Sequence, residues 1–248
     1  VLHHTLIPHV EWSGAYWATL VGILGTTISP YLFFWQAAQE VEQEIAEGKS
    51  TVKQREGASK REIRRSRTDV LTGMFFSNLV MYFIILTSAA TLHAHGKTVA
   101  SARDAAEALR PLAGDGAYLL FSLGLIGAGM LGVPVLAGSC AYAIAEAADW
   151  VGSLEVHPPL AHGFYGVIAV AMALGLGLDF AGFDAVKMLF WAAVLNGVLA
   201  PPLLILVVLL TSRADVMGEH RNGPLLRWLG WLCAIVMLAA TIIMFATA

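Results

Sequence analysis

The chain has 248 residues, 57% of them hydrophobic and 13% charged, with a mean hydropathy of +0.68. Soluble domains carry roughly a quarter charged residues, so an ordinary soluble fold is excluded and the chain reads as an integral membrane protein. The formal net charge of −3 is small, so the total carries no polyanion-binding signal and only the placement of charge is informative; nucleic acid is not a credible partner.

The chain begins at Val1 rather than at a methionine, and it reads as a piece of something longer. A polar lead-in with His3, His4, His9 and Glu11 is expected to be a solvated loop. A first helix is expected over about 14–44, interrupted at 25–31 by Gly25-Thr26-Thr27-Ile28-Ser29-Pro30-Tyr31. Pro30 has no N–H, so the carbonyl of Thr26, four residues back, loses its helical donor, and Ser29 is pushed out of helical geometry. A break at membrane depth survives only where its freed groups are buried in protein or line a cavity, and such breaks mark secondary-transporter binding sites. The helix then turns polar through Gln36, Gln39, Glu40, Glu42 and Glu44 as it leaves the membrane.

Residues 47–69 read as a polar loop holding Lys49, Lys53, Arg55, Lys60, Arg61, Arg64, Arg65 and Arg67, which marks the cytoplasmic side. Topology control is a simpler account of that run than lipid-headgroup or nucleic-acid binding. A second helix is expected over 70–92, with Asn78 inside it. An outer loop over 93–115 follows, where the pair His93 and His95 reads as incidental. A third helix over 117–145 is rich in glycine and contains Pro134, which predicts close packing and a kink. Helices over 162–178, 185–210 and 228–246 complete six spans. Pro201 and Pro202 free the carbonyls of Gly197 and Val198 and predict a second irregular point. Arg213, Arg221 and Arg227 return the last loop to the cytoplasmic side, and Trp228 and Trp231 sit where aromatic anchors are expected. Cys140 and Cys233 lie inside apolar segments, without the spacing of a metal site or redox pair.

Three stretches carry a family resemblance: GTTISPYLFFWQAAQEVEQE from Gly25, GLIGAGMLGVPVLAGSCAYAIAE from Gly124, and LLTSRADVMGEHRN from Leu209. They resemble, in order and spacing, the sixth helix, the eighth helix and the segment after the tenth in the natural-resistance-associated macrophage protein family of divalent metal transporters, in its divergent bacterial form. The resemblance implies an all-α integral membrane protein of the inner (plasma) membrane, with a leucine-transporter-type fold. Two inverted five-helix repeats would cross at a central site, with broken helices supplying the ligands. This chain would be a single transmembrane domain over 1–248, the second repeat plus one extra helix. Its partners would be the divalent metal ion as substrate, the lipid bilayer and the missing N-terminal repeat, which in the family supplies an aspartate and an asparagine to the metal. No cofactor is implied.

Residue by residue, the family's backbone carbonyl ligand falls on Thr26, its methionine is replaced by Ser29, and the histidine after the proline is replaced by Tyr31. The glutamine of the tenth helix is replaced by Ala193, with Asn196 a turn further on. Thr26 and Ser29 are therefore the candidate metal ligands, and Thr27, Tyr31 and Asn196 the candidate substrate path. Replacing a thioether by hydroxyl and carbonyl oxygen shifts the site toward harder ions of the Mg²⁺ or Mn²⁺ type, with Fe²⁺ also in the class. With Tyr31 in place of the histidine, weak or absent proton coupling is expected, a phenol being a poor relay at neutral pH. A transporter of a non-metal solute on the same fold stays open, since both methionine and histidine are lost, and so does a non-transporting membrane subunit. An enzyme is not expected: paired carboxylates, a His-based triad and a nucleophile with a base are all missing at membrane depth.

Overall fold

The computed structural model of the chain describes residues 10–57, 59–91 and 101–247, and it is helical, with no strand among the described residues. His3, His4, His9, His93 and His95 lie outside them. Among the described residues, six spans are long and apolar enough to cross a bilayer: Gly14–Ala46, Lys60–Ala90, Ala117–Ala147, His162–Phe180, Ala185–Ser212 and Pro224–Thr247. Much of their apolar surface faces outward, Phe75 and Phe76 for example being 63% and 57% exposed, as a chain solvated by lipid requires.

Ser13 caps the first helix, α1 (Gly14–Ile28), by accepting from the Tyr16 N–H at 3.3 Å. The expected interruption over 25–31 contracts to Ser29 and Pro30, after which α2 (Tyr31–Ala46) begins. The expected basic loop over 47–69 needs correcting. It holds a short turn, α3 (Val52–Arg55), and from Lys60 it is already part of the next span, α4 (Lys60–Thr91). The cause is a reciprocal cap. The Ser59 hydroxyl accepts from the Glu62 N–H at 3.2 Å, while the Glu62 carboxylate accepts from the Ser59 N–H at 2.6 Å. Lys49 then ties this start to the end of α2, at 3.1 Å from Glu44 and 3.6 Å from Glu62. Its hydrogen bond to Glu44, reinforced by Glu62, raises Lys49 above the ordinary lysine value.

The outer loop is also partly helical. Ser101 accepts from the Asp104 N–H at 3.2 Å and starts α5 (Ala102–Ala113). Next, α6 (Ala117–Ala147) passes through Pro134 as one helix, followed by α7 (His162–Phe180). The second irregular point does not interrupt the chain, because α8 (Ala185–Ser212) runs unbroken through Pro201 and Pro202. A proline inside a membrane helix is tolerated where neighbouring groups absorb the freed carbonyls. A helical turn, α9 (Ala214–Met217), is followed by a loop that Asn222 closes onto Thr211, N–H to carbonyl at 2.9 Å and amide to hydroxyl at 2.8 Å. The last span is α10 (Pro224–Thr247).

The chain divides into two compact units, one comprising residues up to Pro30 and from Lys187 onward, the other Tyr31–Val186. In the first, Val21 of α1, Val194 of α8 and Ala240 and Met244 of α10 form the core. In the second, Ala141, Tyr142 and Ala145 of α6 pack with Ala161 and Phe164, with Trp35 and Ala38 of α2 against them.

Candidate functional site

The break is built by Ser29 and Pro30, both buried. Ser29 adopts φ 45° and ψ 71°, a left-handed conformation that costs a side-chain-bearing residue about 1–2 kcal/mol. Two bonds hold it there. Its N–H donates to the Gly25 carbonyl at 2.9 Å, and its hydroxyl donates to the Thr26 carbonyl at 2.5 Å. The Thr26 carbonyl, deprived of its helical donor by Pro30, is thus not bare as the sequence implied. A peptide oxygen has two acceptor positions and a hydroxyl oxygen keeps lone pairs while it donates. The bond therefore orients two adjacent oxygens without exhausting either. Thr27 turns its hydroxyl back onto the Ile23 carbonyl at 2.9 Å, the bond that hydroxyls in membrane helices commonly make.

Beside the break, α1 and α8 meet backbone to backbone. A Cβ placed on Gly25 would lie 2.3 Å from both the Ala193 carbonyl oxygen and the Gly197 nitrogen, and one placed on Gly197 would lie 2.3 Å from the Val21 carbonyl oxygen. Sequence reading treated Gly25 only as a helix breaker. Its packing role depends on a partner far along the chain, and no local pattern announces it. Pro201 leaves the Gly197 carbonyl without its helical donor, so two donor-deprived carbonyls, Thr26 and Gly197, flank this crossing. Asn196, half-buried on α8, neighbours the same contact, and its side chain forms no hydrogen bond among the described residues. Tyr31 opens the second unit. Among the described residues, no group of three or more His, Cys, Asp or Glu is placed to hold a metal ion. The first unit therefore offers neutral oxygens and no clustered carboxylates.

The second unit has a polar junction that sequence reading missed. The Tyr142 hydroxyl on α6 donates to the Glu42 carboxylate of α2 at 2.7 Å and accepts from the Gln39 amide at 3.1 Å and from the Leu154 N–H at 3.2 Å. Its ring meets Trp35 and Phe164 edge-on. Glu42 also lines a cavity of about 660 Å³ with Glu146, Asp149 and Glu155. Tyr142→Phe keeps the ring contacts but leaves Glu42 and the Leu154 N–H each short of a partner. We expect it to cost about 1–3 kcal/mol, read as a lower thermal unfolding midpoint. An unchanged midpoint would mean that water replaces the hydroxyl. Asn78 forms no such link, its amide donating to Met74 of its own helix at 2.7 Å.

Residues 1–247 match the family described as natural resistance-associated macrophage protein-like. The chain is 26% identical to the divalent metal cation transporter MntH of Deinococcus radiodurans, over 94% of this chain and 50% of that protein. It is 27% identical to the MntH of Klebsiella pneumoniae strain 342, over 88% and 48%, and 22% identical to that of Clostridium acetobutylicum, over 97% and 52%. The chain spans about half the length of the curated relatives it matches. These relatives are named as transporters, not enzymes. With its six apolar spans and a match over nearly every residue, this all-α, multi-pass membrane chain belongs to the natural resistance-associated macrophage protein-like family.

Proposed function

We propose that this chain supplies one half of a secondary transporter that moves divalent metal cations across the membrane by alternating access. The observation that carries the proposal is the break itself. A carbonyl stripped of its helical donor and a hydroxyl oriented by it share one turn in the middle of a span, part-buried where they meet. The names of the relatives, which specify divalent metal cations, point the same way.

In this reading the Thr26 carbonyl and the Ser29 hydroxyl are direct or water-bridged ligands. Thr27 and Asn196 line the substrate path, and Tyr31 follows the break along the chain. An all-oxygen, uncharged set suits hard cations such as Mg²⁺ and Mn²⁺ better than soft ones, with Fe²⁺ between. The compensating carboxylate would come from the first repeat. Uptake of Mn²⁺, Fe²⁺ and Mg²⁺ by the full-length protein in liposomes tests this, with saturable uptake of at least one expected. If none of the three is transported, the metal reading fails and a non-metal solute takes its place.

A further inference from the structure

We propose that one face of the cytoplasmic end of α4 binds the phosphate headgroups of anionic lipids in the inner leaflet. This rests on α4 spanning a bilayer and not on what the protein transports.

Three of the five basic residues at this end share one face. At 3.6 residues per turn, Lys60, Arg64 and Arg67 fall on one stripe. Glu62 and Asp69 fall roughly opposite, within about 20° of each other, in a cleft of about 250 Å³ that Arg65 also lines, with Glu40 and Glu44 of α2. The side that carries both carboxylates thus faces a cleft beside α2, where Lys49 bridges Glu62 and Glu44. Lys60, Arg64 and Arg67 are exposed, and their charged ends form no ion pair or hydrogen bond among the described residues. Arg55, by contrast, spends its guanidinium on the carbonyls of Lys49 and Ser50.

The same stripe continues without a register change into Leu71, Met74 and Phe75, which are 60%, 45% and 63% exposed. Spacings of four, three, four and three residues keep cations and apolar groups on one line of the helix. What meets the apolar part is hydrocarbon, so what meets the cationic part is the layer just outside it. That layer is about 5–8 Å thick per leaflet. At 1.5 Å per residue, Arg67 lies about 6 Å below Leu71, inside the headgroups, and Arg64 about 10 Å below, at their outer edge. Lys60 lies deeper in solution but near enough to feel the leaflet's surface potential. Guanidinium forks match phosphate oxygens in geometry as well as charge. The continuous helix is essential here: a loop over 60–69 would scatter these residues.

The test is lipid titration of the delipidated full-length protein, read by native mass spectrometry with phosphatidylglycerol against phosphatidylcholine. We expect phosphatidylglycerol to be preferred about ten-fold or more, and K60Q/R64Q/R67Q to lose most of that preference. K53Q/R213Q/R221Q, which removes the same charge from the same side of the membrane, is expected to stay within about two-fold of wild type. The charge-retaining R64K/R67K is expected to keep a preference, which guards against a folding defect. Equal losses in the two neutralised triples would reduce the effect to net charge and overturn the proposal. So would the absence of any preference in the wild type, or its displacement by inorganic phosphate at constant ionic strength.

Discussion

Gly25→Ala is expected to abolish divalent-cation uptake by the full-length protein, at least a ten-fold loss, and to lower its thermal unfolding midpoint. The added Cβ would sit 2.3 Å from the Ala193 oxygen and the Gly197 nitrogen. Both are backbone atoms of a helix, with no rotamer to yield, so α1 and α8 must part by about an ångström. Overpacking of this kind costs about 1–3 kcal/mol in cores, and rigid backbone belongs at the upper end. The displaced turn carries the Thr26 carbonyl, so the proposed ligands move with it. Gly73→Ala is the matched control. It lies within α4, where an added methyl would meet nothing within 4 Å, and in a helix interior alanine is favoured by about 1 kcal/mol. Wild-type uptake by Gly25→Ala would show that the crossing tolerates separation and would detach it from the site.

Ser29→Met is expected to change which ions are carried rather than merely how many. The substitution removes the hydroxyl bonded to Thr26 and introduces a thioether, a ligand suited to softer cations. Competition uptake should show the ratio of Cd²⁺ to Mg²⁺ transport rising about ten-fold. Ser29 is 7% exposed, so a larger side chain also strains the turn, and Ser29→Leu separates the two effects. Leucine brings comparable bulk without sulfur, so it should depress uptake with no gain for Cd²⁺. A matching Cd²⁺ gain in the leucine variant would mean that shape, not ligand chemistry, sets selectivity.

The six spans could be read in the sequence because a bilayer demands about twenty apolar residues in a row. The observed spans begin and end near the expected limits, with α4 the large exception. There, a run of arginines suggested a loop on grounds of charge, whereas Ser59 and Glu62, three residues apart, already spell a helix start. Ser101 and Asp104 give the same kind of signal for α5. At the break, Pro30 correctly identified which carbonyl loses its donor. That the Ser29 hydroxyl would take its place depends on a left-handed backbone, which a residue before proline does not advertise. The Gly25–Gly197 contact and the Tyr142 junction join residues a hundred or more positions apart, and sequence periodicity says nothing about such pairs.

The length of α4 has a mechanical consequence. Its 32 residues make a rod of about 48 Å, of which residues 70–91 account for about 33 Å. In a bilayer whose hydrocarbon core is about 27 Å thick, that apolar part exceeds the core, and if tilt alone took up the excess the angle would be about 35°. The polar extension below the membrane, about 15 Å long, then swings sideways by about 9 Å. Lys49 connects this lever to Glu44 at the foot of α2. A bilayer that changed that tilt would shift the foot of α4 beneath α2, where Lys49 is the ion-paired link between them.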